Sequence, residues 1–320
     1  MAPPLPSTPA RRAILAAGVP IVLAVIALGV HSWVNRTVIY LADRNQVGYS
    51  VALSVPASDG HVRVTTSNGD VTLRTSTTTS SGIAVRGFLS SSFARPTFSH
   101  QSTAAGLNLN AQCQAPIGNC SLNFAITLAA GLPVAVADSF GNLEARALRG
   151  TVALSDNSGD LDASGLTGEI RLADAFGDLT ASGLTGSIQL DNNSGDISAA
   201  GLTGDTRLQD SFGDITVTGL AAADVVARNQ SGDITLTFTK IPRRVDVTDS
   251  FADITLILPP GRTAYRVDAR TSFGSRIVSV PQAASAPDVI TATDNSGDIT
   301  IISQKVPAPP QAPGSPPPPP

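Results

Sequence analysis

Glycine recurs every nine residues through the middle of the chain, at positions 159, 168, 177, 186, 195, 204 and 213. Two and four residues after each glycine the side chain is usually apolar, as with Leu161 and Ala163 after Gly159. Because alternate residues of a strand share one face, each nonapeptide predicts a short strand with two inward side chains, followed by a turn. Two nonapeptides make one coil of eighteen residues. The sequence therefore predicts an all-β solenoid, in which stacked coils complete a core that no single coil can bury.

The two halves of each eighteen-residue unit differ in their inward side chains. Strands that follow Gly-Asp carry one large and one small apolar residue, whereas strands that follow "GLTG" mostly carry two large ones. This asymmetry indicates that alternate strands belong to different sheets. We also expect the leucines of the GLTG turns, Leu166, Leu184 and Leu202, to fold inward. A β-sandwich is the main alternative, since its strands can have this spacing, but identical turns at identical steps favour the solenoid.

A D-x-x-G-D turn extends the repeat along the chain. Its glycine, or the residue in its place, lies at 141, 159, 177, 195, 213, 232, 252, 274 and 297. Taken in chain order, these positions predict nine coils whose later turns are longer. Upstream, "HVRVTTSNGDVTLRT" from His61 is similar to an earlier coil, whereas residues 75–104 are rich in Ser and Thr and lose the period. We therefore expect an irregular N-terminal β portion at 37–125 and a regular solenoid at 126–303.

An uncharged apolar stretch, "AILAAGVPIVLAVIALGV" at 13–30, directly follows two arginines. Its length predicts a transmembrane helix or signal anchor at 13–34, and the arginines favour a cytoplasmic tail at 1–12. A cleaved secretory signal is the alternative. The prediction is a single-pass protein of the cell membrane, N-terminus cytoplasmic, with the bulk of the chain extracytoplasmic. The proline-rich end at 304–320 is expected to be a disordered, extended spacer.

Charge and cysteine content narrow the partners and the compartment. Residues 37–320 hold all 25 acidic residues against 18 basic ones, a net charge of −7. Without a basic stripe, nucleic-acid binding is not expected. The chain has two cysteines, Cys113 and Cys120, whose close spacing fits a small disulfide loop if the domain faces an oxidising compartment, and a reduced pair if it faces the cytosol. Two cysteines without a nearby histidine are too few for structural zinc.

The GLTG and NSGD coils, the stretch "ITLAAGLPVAVADSFGNLEARALRGTVAL" from Ile126 and the closing "ATDNSGDITI" from Ala292 resemble a known family. This is the toast-rack family of bacterial envelope proteins, domains of unknown function that carry the label "putative adhesin". The resemblance covers roughly residues 50–303. It implies a single-stranded right-handed β-helix and a link to envelope stress, and it brings no catalytic residues. Asn142, Ser275 and Ala252 depart from the turn pattern, so the stack tolerates imperfect turns.

The turn aspartates are expected to form columns along the solenoid. One column follows the glycines: Asp160, Asp178, Asp196, Asp214, Asp233, Asp253 and Asp298. A second lies three residues before them: Asp138, Asp156, Asp174, Asn192, Asp210, Asn229, Asp249, Thr271 and Asp294. Stacked carboxylates could bind Ca²⁺, or they could accept hydrogen bonds from backbone N–H groups a residue or two further on.

One Gly-Asp per turn supplies few oxygen ligands, and uncharged residues fill several positions of both columns. We therefore expect structural turn columns, with no metal and no cofactor. A solvated column of carboxylates is tolerable, whereas a buried and ionised one is not, because charges repel more strongly at low dielectric.

The residue before each turn glycine alternates between phenylalanine and serine. In chain order these residues are Phe140, Ser158, Phe176, Ser194, Phe212, Ser231, Phe251, Phe273 and Ser296, and the alternation fails after 251. Rings that point inward would need a small neighbour on the next coil, whereas rings that point outward would form a surface stripe for a partner. We expect the five phenylalanines to pack inward at the corner.

No irregular cluster of chemistry-bearing residues interrupts the repeat. Glycoside hydrolysis needs two carboxyl groups at a fixed separation, and repetition offers many carboxylates but no unique pair. The sequence therefore predicts no catalytic residue and a non-enzymatic, adhesin-like or scaffold domain, whose partner is a protein or wall polymer of the cell envelope. The alternative is a β-helix lyase or hydrolase acting on cell-wall polysaccharide. Arg243, Arg244 and the stretch 261–270 could contact an anionic wall polymer or could be ordinary solvated residues.

Overall fold

The structure is a computed structural model and describes residues 47–56, 60–76, 82–92, 96–103, 106–113, 119–261 and 263–304. All regular secondary structure among these residues is β-strand, which confirms the all-β prediction. The predicted helix at 13–34, the tail at 1–12 and almost all of the proline-rich segment at 304–320 lie outside the described residues.

Twenty-five strands are described, and most are four to seven residues long. In chain order they are β1 (Val47–Pro56), β2 (His61–Thr66), β3 (Val71–Thr75), β4 (Gly82–Ser91), β5 (Thr97–Thr103), β6 (Gly106–Gln112), β7 (Cys120–Leu128), β8 (Val134–Ala137), β9 (Leu143–Arg146), β10 (Arg149–Ser155), β11 (Leu161–Ser164), β12 (Thr167–Ala173), β13 (Leu179–Ser182), β14 (Thr185–Asp191), β15 (Ile197–Ala200), β16 (Thr206–Gln209), β17 (Ile215–Leu220), β18 (Asp224–Arg228), β19 (Ile234–Phe238), β20 (Arg244–Thr248), β21 (Ile254–Leu258), β22 (Arg266–Thr271), β23 (Arg276–Ser279), β24 (Val289–Asp294) and β25 (Ile299–Ser303).

The strands form two sheets, one of 13 and one of 12 strands, and from β6 onward successive strands alternate between them. Strands that follow Gly-Asp, such as β11, lie in the larger sheet, and strands that follow GLTG, such as β12, lie in the smaller one. Along the middle of the stack each strand pairs in parallel with the strand one coil further on. This parallel winding through two sheets is the solenoid that the repeat predicts and excludes the antiparallel sandwich.

The eighteen-residue step sets the pairing of neighbouring coils. Val134 pairs with Val152, which belongs to the same coil as Leu161, and Leu161 pairs in turn with Leu179. Equivalent residues therefore stack, and each inward side chain rests on its counterpart in the next coil. Ile170 and Leu172 of the smaller sheet face the core together with Leu161 and Ala163 of the larger one, and all four are buried. The GLTG leucines Leu166, Leu184 and Leu202 are also buried, as predicted.

Two coils lie out of chain order. At one end, β2 and β3 lie between the coil of β8 and β9 and the coil of β6 and β7. At the other end, β24 and β25 lie between the coil of β20 and β21 and the coil of β22 and β23. The prediction that the turns stack in chain order is therefore wrong beyond residue 252. The turns stack in the spatial order 69, 141, 159, 177, 195, 213, 232, 252, 297 and 274.

Hydrophobicity explains the exchange at the C-terminal end. The inner coil, at 289–303, buries four apolar side chains, among them Ile290 and Ile299. At the positions that stack on these four side chains, the outer coil has Val267, Ala269, Arg276 and Val278, so a charged residue lies next to Ile299. Because a coil in the middle of a stack is covered on both sides, the more apolar coil is stabilised there and the more polar coil closes the end.

The N-terminal end is closed by antiparallel strands. β1 pairs with β4 and β4 with β7 in the larger sheet, while β5 pairs with β6 in the smaller one. Cys113 and Cys120 form a disulfide between the end of β6 and the start of β7, as the sequence predicts for an oxidising compartment. The coil at 61–75 belongs to the parallel stack, which confirms the prediction made from its sequence.

The turn glycines bring successive coils into backbone contact. A Cβ added at Gly177 would lie 1.7 Å from the carbonyl oxygen of Gly159, and one added at Gly159 would lie 1.8 Å from that of Gly141. No real carbon atom fits at these distances. Glycine is therefore strongly favoured at this corner because the neighbouring backbone occupies the space that a side chain needs, and Ala252 is the one residue with a Cβ at this position of the described turns.

Replacing Gly177 with alanine is expected to push two coils apart and to lower the free energy of unfolding by about 1–3 kcal/mol or more, as overpacking does elsewhere. Denaturant unfolding measures the change. The matched control is Gly261→Ala, where the nearest atom to an added Cβ lies 4.0 Å away, and its effect is expected to stay within about 0.5 kcal/mol. Equal effects of the two substitutions would contradict the contact.

Candidate functional site

The D-x-x-G-D turns form one long edge of the solenoid, which we call the turn edge. In the repeating unit, Asp156 directly follows β10 and Asp160 directly precedes β11. Each turn therefore carries the chain from the smaller sheet to the larger one. Because the turns stack, each of their five positions becomes a column along the rod.

The aspartates after the glycines form an exposed ladder. In the middle of the stack, Asp196 donates its N–H to Oδ1 of Asp178 at 3.0 Å and accepts the N–H of Asp214 on its own Oδ1 at 2.9 Å. The same contact joins the aspartates at 160, 178, 196, 214, 233, 253 and 298 in a continuous series. Each carboxylate thus fastens its coil to the next.

This bond differs from the expected one. The sequence suggests acceptance from N–H groups of the same turn, whereas these side chains reach the neighbouring coil. Two substitutions in the column follow from that geometry. Asn142 keeps an acceptor, because its Oδ1 binds the N–H of Asp160 at 3.0 Å. Ser275 belongs to the outermost coil, where it donates its N–H to Asp298 at 2.7 Å and no further described coil needs an acceptor.

The aspartates before the glycines form a second column that is buried. Asp174 and Asp210 expose 6% and 2% of their surfaces. In each, Oδ1 accepts the N–H of the following residue, at 2.6 Å in both cases. These are the local turn bonds that the sequence predicts. The Oδ2 atoms at 138, 156, 174, 210, 249 and 294 are buried and accept no hydrogen bond.

The uncharged members of the buried column show what the second atom can do. Asn192 donates from Nδ2 to the carbonyl oxygen of Gly177 on the neighbouring coil at 3.0 Å, and Asn229 donates to that of Gly213 at 2.7 Å. Thr271 donates its hydroxyl to the carbonyl oxygen of Gly297 at 3.0 Å. A carboxylate has no proton to give to such a carbonyl, but a neutral carboxylic acid has one.

Burial therefore favours the neutral form of these carboxyl groups. It raises the pKa of Asp138 to about 7 and the pKa values of Asp174, Asp210 and Asp249 to about 6, against the opposing effect of the backbone N–H bonds. Asp138 is therefore about half neutral near pH 7, and Asp174, Asp210 and Asp249 become neutral as the pH falls below about 6. Perturbed pKa values often mark catalytic sites, but here they recur in successive turns inside the stack.

The five phenylalanines face outward, so the prediction that they pack inward is wrong. Their exposed fractions are 56% for Phe140, 59% for Phe176, 60% for Phe212, 62% for Phe251 and 75% for Phe273. The inward position of the turn is already occupied by the buried column two residues earlier. We call these five residues the phenylalanine stripe.

The spatial order of the coils restores the alternation that fails in the sequence. Because the coil at 289–303 lies inside the coil at 266–279, Ser296 falls between Phe251 and Phe273. At the other end Asn68 precedes Phe140. The column is therefore Asn68, Phe140, Ser158, Phe176, Ser194, Phe212, Ser231, Phe251, Ser296 and Phe273. The failed alternation in the sequence was the available signal for the exchanged coils.

Other predicted positions are accounted for by nearby groups. Arg243 forms an ion pair with Asp224. Arg270 donates from Nε and Nη2 to the two carboxylate oxygens of Asp268, at 2.8 and 2.7 Å. Within the described ranges, no group of three or more His, Cys, Asp or Glu side chains is placed to hold a metal ion. The same part of the chain contains no helix with the length and hydropathy of a membrane span.

Comparison with known proteins gives a family match and two matching solved structures. The family model described as Toastrack DUF4097 matches residues 134–302. A "putative cell adhesion protein" from Clostridium sporogenes is 11% identical, with a TM-score of 0.22 and coverage of 81% of this chain and 100% of that one. A "putative adhesin" from Bacteroides fragilis is 12% identical, with a TM-score of 0.39 and coverage of 80% and 97%. No curated protein matches. At these identities neither structure's role transfers to this chain.

The buried column predicts an unusual pH dependence of stability. Because the pKa of Asp174 rises from 3.8 to about 6 on folding, the folded state holds a proton that the unfolded state has lost between these values. The contribution of protonated Asp174 to the free energy of unfolding is therefore complete below pH 3.8 and is lost as the pH rises through about 6. Asp174→Asn keeps the Oδ1 acceptor and adds an amide donor that does not titrate, the arrangement that Asn192 has. We expect the variant to match the parent near pH 4 and to be more stable at pH 8.

Urea unfolding at the two pH values measures this difference. The matched control is Asp178→Asn, which neutralises the exposed carboxylate of the same turn. It is expected to leave the pH dependence of stability close to that of the parent. If Asp174→Asn were less stable than the parent at pH 8, the buried carboxyl group would be ionised and satisfied in the folded protein.

Proposed function

The chain belongs to the Toastrack DUF4097 family, and from this premise we propose that it is a non-enzymatic, adhesin-like interaction domain of the bacterial cell envelope. In this proposal the segment at 13–34 anchors it in the cell membrane, and the solenoid projects from the outer side. The turn edge is the surface that meets a partner. The exposed phenylalanine stripe is the observation that carries the proposal.

The stripe supports a binding role because exposed aromatic rings are costly to leave in water. Aromatic side chains dominate the energetics of protein interfaces, and contiguous apolar surface on a soluble fold marks interaction sites. The stripe has five rings on one edge, each more than half exposed. Single exposed apolar residues are normal on a protein surface, but five in one row are not. Their flank is a regular ladder of carboxylates, which keeps the edge soluble.

The surface of the smaller sheet supports a role without catalysis. An open depression of about 320 Å³ there is lined mainly by small side chains such as Ala135 and Ala153, with Arg63, Arg171 and Asp191 at its margins. Asp191 is its one carboxylate, whereas glycoside hydrolysis requires two. The carboxyl groups with raised pKa values are buried in the stack, away from any substrate.

The disulfide and the sequence of the N-terminal segment support the location. Disulfides such as Cys113–Cys120 persist in oxidising compartments and are rare in the cytosol. An uncharged stretch preceded by Arg11 and Arg12 has the features of a membrane anchor with a cytoplasmic start. Together they support an extracytoplasmic solenoid, and a link to envelope stress is part of the same proposal.

Binding of the full chain to isolated cell envelopes tests the function. Vesicles that carry the parent protein are expected to adhere to envelopes. The double variant Phe176→Ser and Phe212→Ser is expected to reduce adhesion at least tenfold, because it removes two central rings. Serine occupies the equivalent turn positions at 158, 194 and 231, so the variant should fold. Co-sedimentation of the vesicles with envelopes is the measurement.

The matched control is Ile241→Ser, which removes another exposed apolar side chain, 48% exposed, outside the stripe. It is expected to leave adhesion unchanged. Soluble sugar released from the same envelopes is measured in parallel. Equal adhesion by the parent and the double variant would contradict the binding role of the stripe, and glycan release by the parent would favour the lyase or hydrolase.

A further inference from the structure

The rings of the phenylalanine stripe are separated by gaps of constant size. Adjacent coils lie about 4.8 Å apart, so rings on every second coil are about 9.6 Å apart. Among the described residues the contacts between aromatic rings involve Phe98, His100 and Phe124, and none involves the stripe. Each gap is occupied by a short side chain, serine in every case between two rings.

The gaps are not needed for the stability of a single chain. Exposed rings on consecutive coils would lie about 4.8 Å apart, within the range of 4.5–7 Å that stacked aromatic pairs prefer. The alternation also follows the spatial order of the coils across the exchange at the C-terminal end, so it is not a simple record of chain order. A spatial pattern of rings and gaps suits an object with the same period.

We propose that the occupant of this edge is a second copy of the chain, docked antiparallel so that the rings of each copy fill the gaps of the other. The pairing names the partner of the proposed interaction domain, and its adhesive role rests on that proposed function. The pairing is isologous, with one two-fold axis perpendicular to the rods.

The column of ten positions is complementary to its own reverse. Because the number is even and the residues alternate, reversing the order places every phenylalanine opposite a small residue. The central pairs are Ser194 with Phe212 and Phe176 with Ser231. The outer pairs are Ser158 with Phe251, Phe140 with Ser296 and Asn68 with Phe273. No ring is left opposite another ring.

Interdigitation gives the rings favourable neighbours. A ring of the second copy that enters a gap lies about one coil, or 4.8 Å, from the rings on either side along the rod. This separation is suitable for offset stacking. Closed two-fold symmetry gives this alternation only in the antiparallel arrangement, because a parallel two-fold pair sets rings opposite rings.

The area is close to what a specific pair needs. Aromatic side chains bury roughly 150–250 Å² each, so the five partly exposed rings can bury roughly 500–700 Å² per copy. A standard interface buries about 800 Å² per partner. The serines and the outer backbone of the turns lie between the rings and supply further contact. The flanking carboxylates stay in solvent, where like charges repel weakly.

An antiparallel pair also suits adhesion. Two anchored chains that extend from the same membrane run parallel, whereas chains that extend from opposing surfaces run antiparallel. The pairing would therefore join two surfaces through a single kind of protein.

Sedimentation velocity of the full-length protein in detergent tests the pairing. The parent is expected to be a dimer, and Phe176→Ser with Phe212→Ser is expected to weaken dimerisation at least tenfold. The decisive variant is Ser194→Phe, which fills the central gap and makes the edge more apolar. We expect it to lose the dimer, whereas a merely sticky surface would associate more strongly. Ile241→Ser is expected to remain dimeric, and thermal unfolding checks that each variant is folded.

Distances between spin labels test the orientation. The two cysteines of the chain form a disulfide, so one added cysteine can be labelled. Labels at Ser211, near the two-fold axis, are expected to lie about one coil apart along the rods, and labels at Ser139 about seven coils or 34 Å apart. Equal short distances at the two positions would overturn the antiparallel pair.

The outcomes separate the two proposals. A parent that stays monomeric in sedimentation, or a stronger association of Ser194→Phe, overturns the pairing. If such a monomer still adheres to envelopes through the stripe, the interaction domain stands and its partner is a different molecule. If the parent dimerises with the predicted distances but does not adhere, the pairing stands and the adhesive function fails.

Discussion

The backbone contact between successive turn glycines is the constraint on which the rest of the solenoid depends. It brings each corner so close to the next that an added Cβ at Gly177 would lie 1.7 Å from a carbonyl oxygen. At this distance the exposed aspartates can reach the N–H groups of the next coil. The buried asparagines can reach the glycine carbonyls. The same close stacking aligns the turn residues into columns, so one corner geometry produces the carboxylate ladder and the phenylalanine stripe.

The two aspartates of one turn behave differently because their surroundings differ. The residue after the glycine is in solvent and accepts the N–H of the next coil. The residue before it is enclosed, so that burial raises its pKa and favours the neutral acid. Both positions can be occupied by an uncharged residue, as Asn142 and Asn192 show. The columns thus hold the coils together and leave the phenylalanine between them as the outward-facing part of the turn.

Periodicity predicted the solenoid, its two unlike sheets and the buried leucines, because strand geometry converts a nine-residue step directly into stacked strands. It could not predict that Phe176 faces outward, since the side of the chain taken by a turn residue depends on which neighbour enters the core, and there it is Asp174. The order of the turns in the chain also predicts that Gly274 follows Ala252 in the stack, whereas Gly297 lies between them. Which coil lies outermost depends on which of Ile299 and Arg276, at equivalent inward positions, is covered on both sides in the assembled stack, a comparison that no local pattern contains.

The order of the last coils is the central claim, because the regular edge depends on it. Pairs of introduced cysteines measure that order. Ser250 and Asn295 belong to adjacent coils about 4.8 Å apart, within the 4.4–6.8 Å that a disulfide spans. Ser250 and Ser272 are two coils, or about 9.6 Å, apart. Cross-linking of the pair 250 and 295, but not of 250 and 272, is the predicted result. Cross-linking of 250 and 272 instead would show that the coils follow chain order and would contradict the continuous edge.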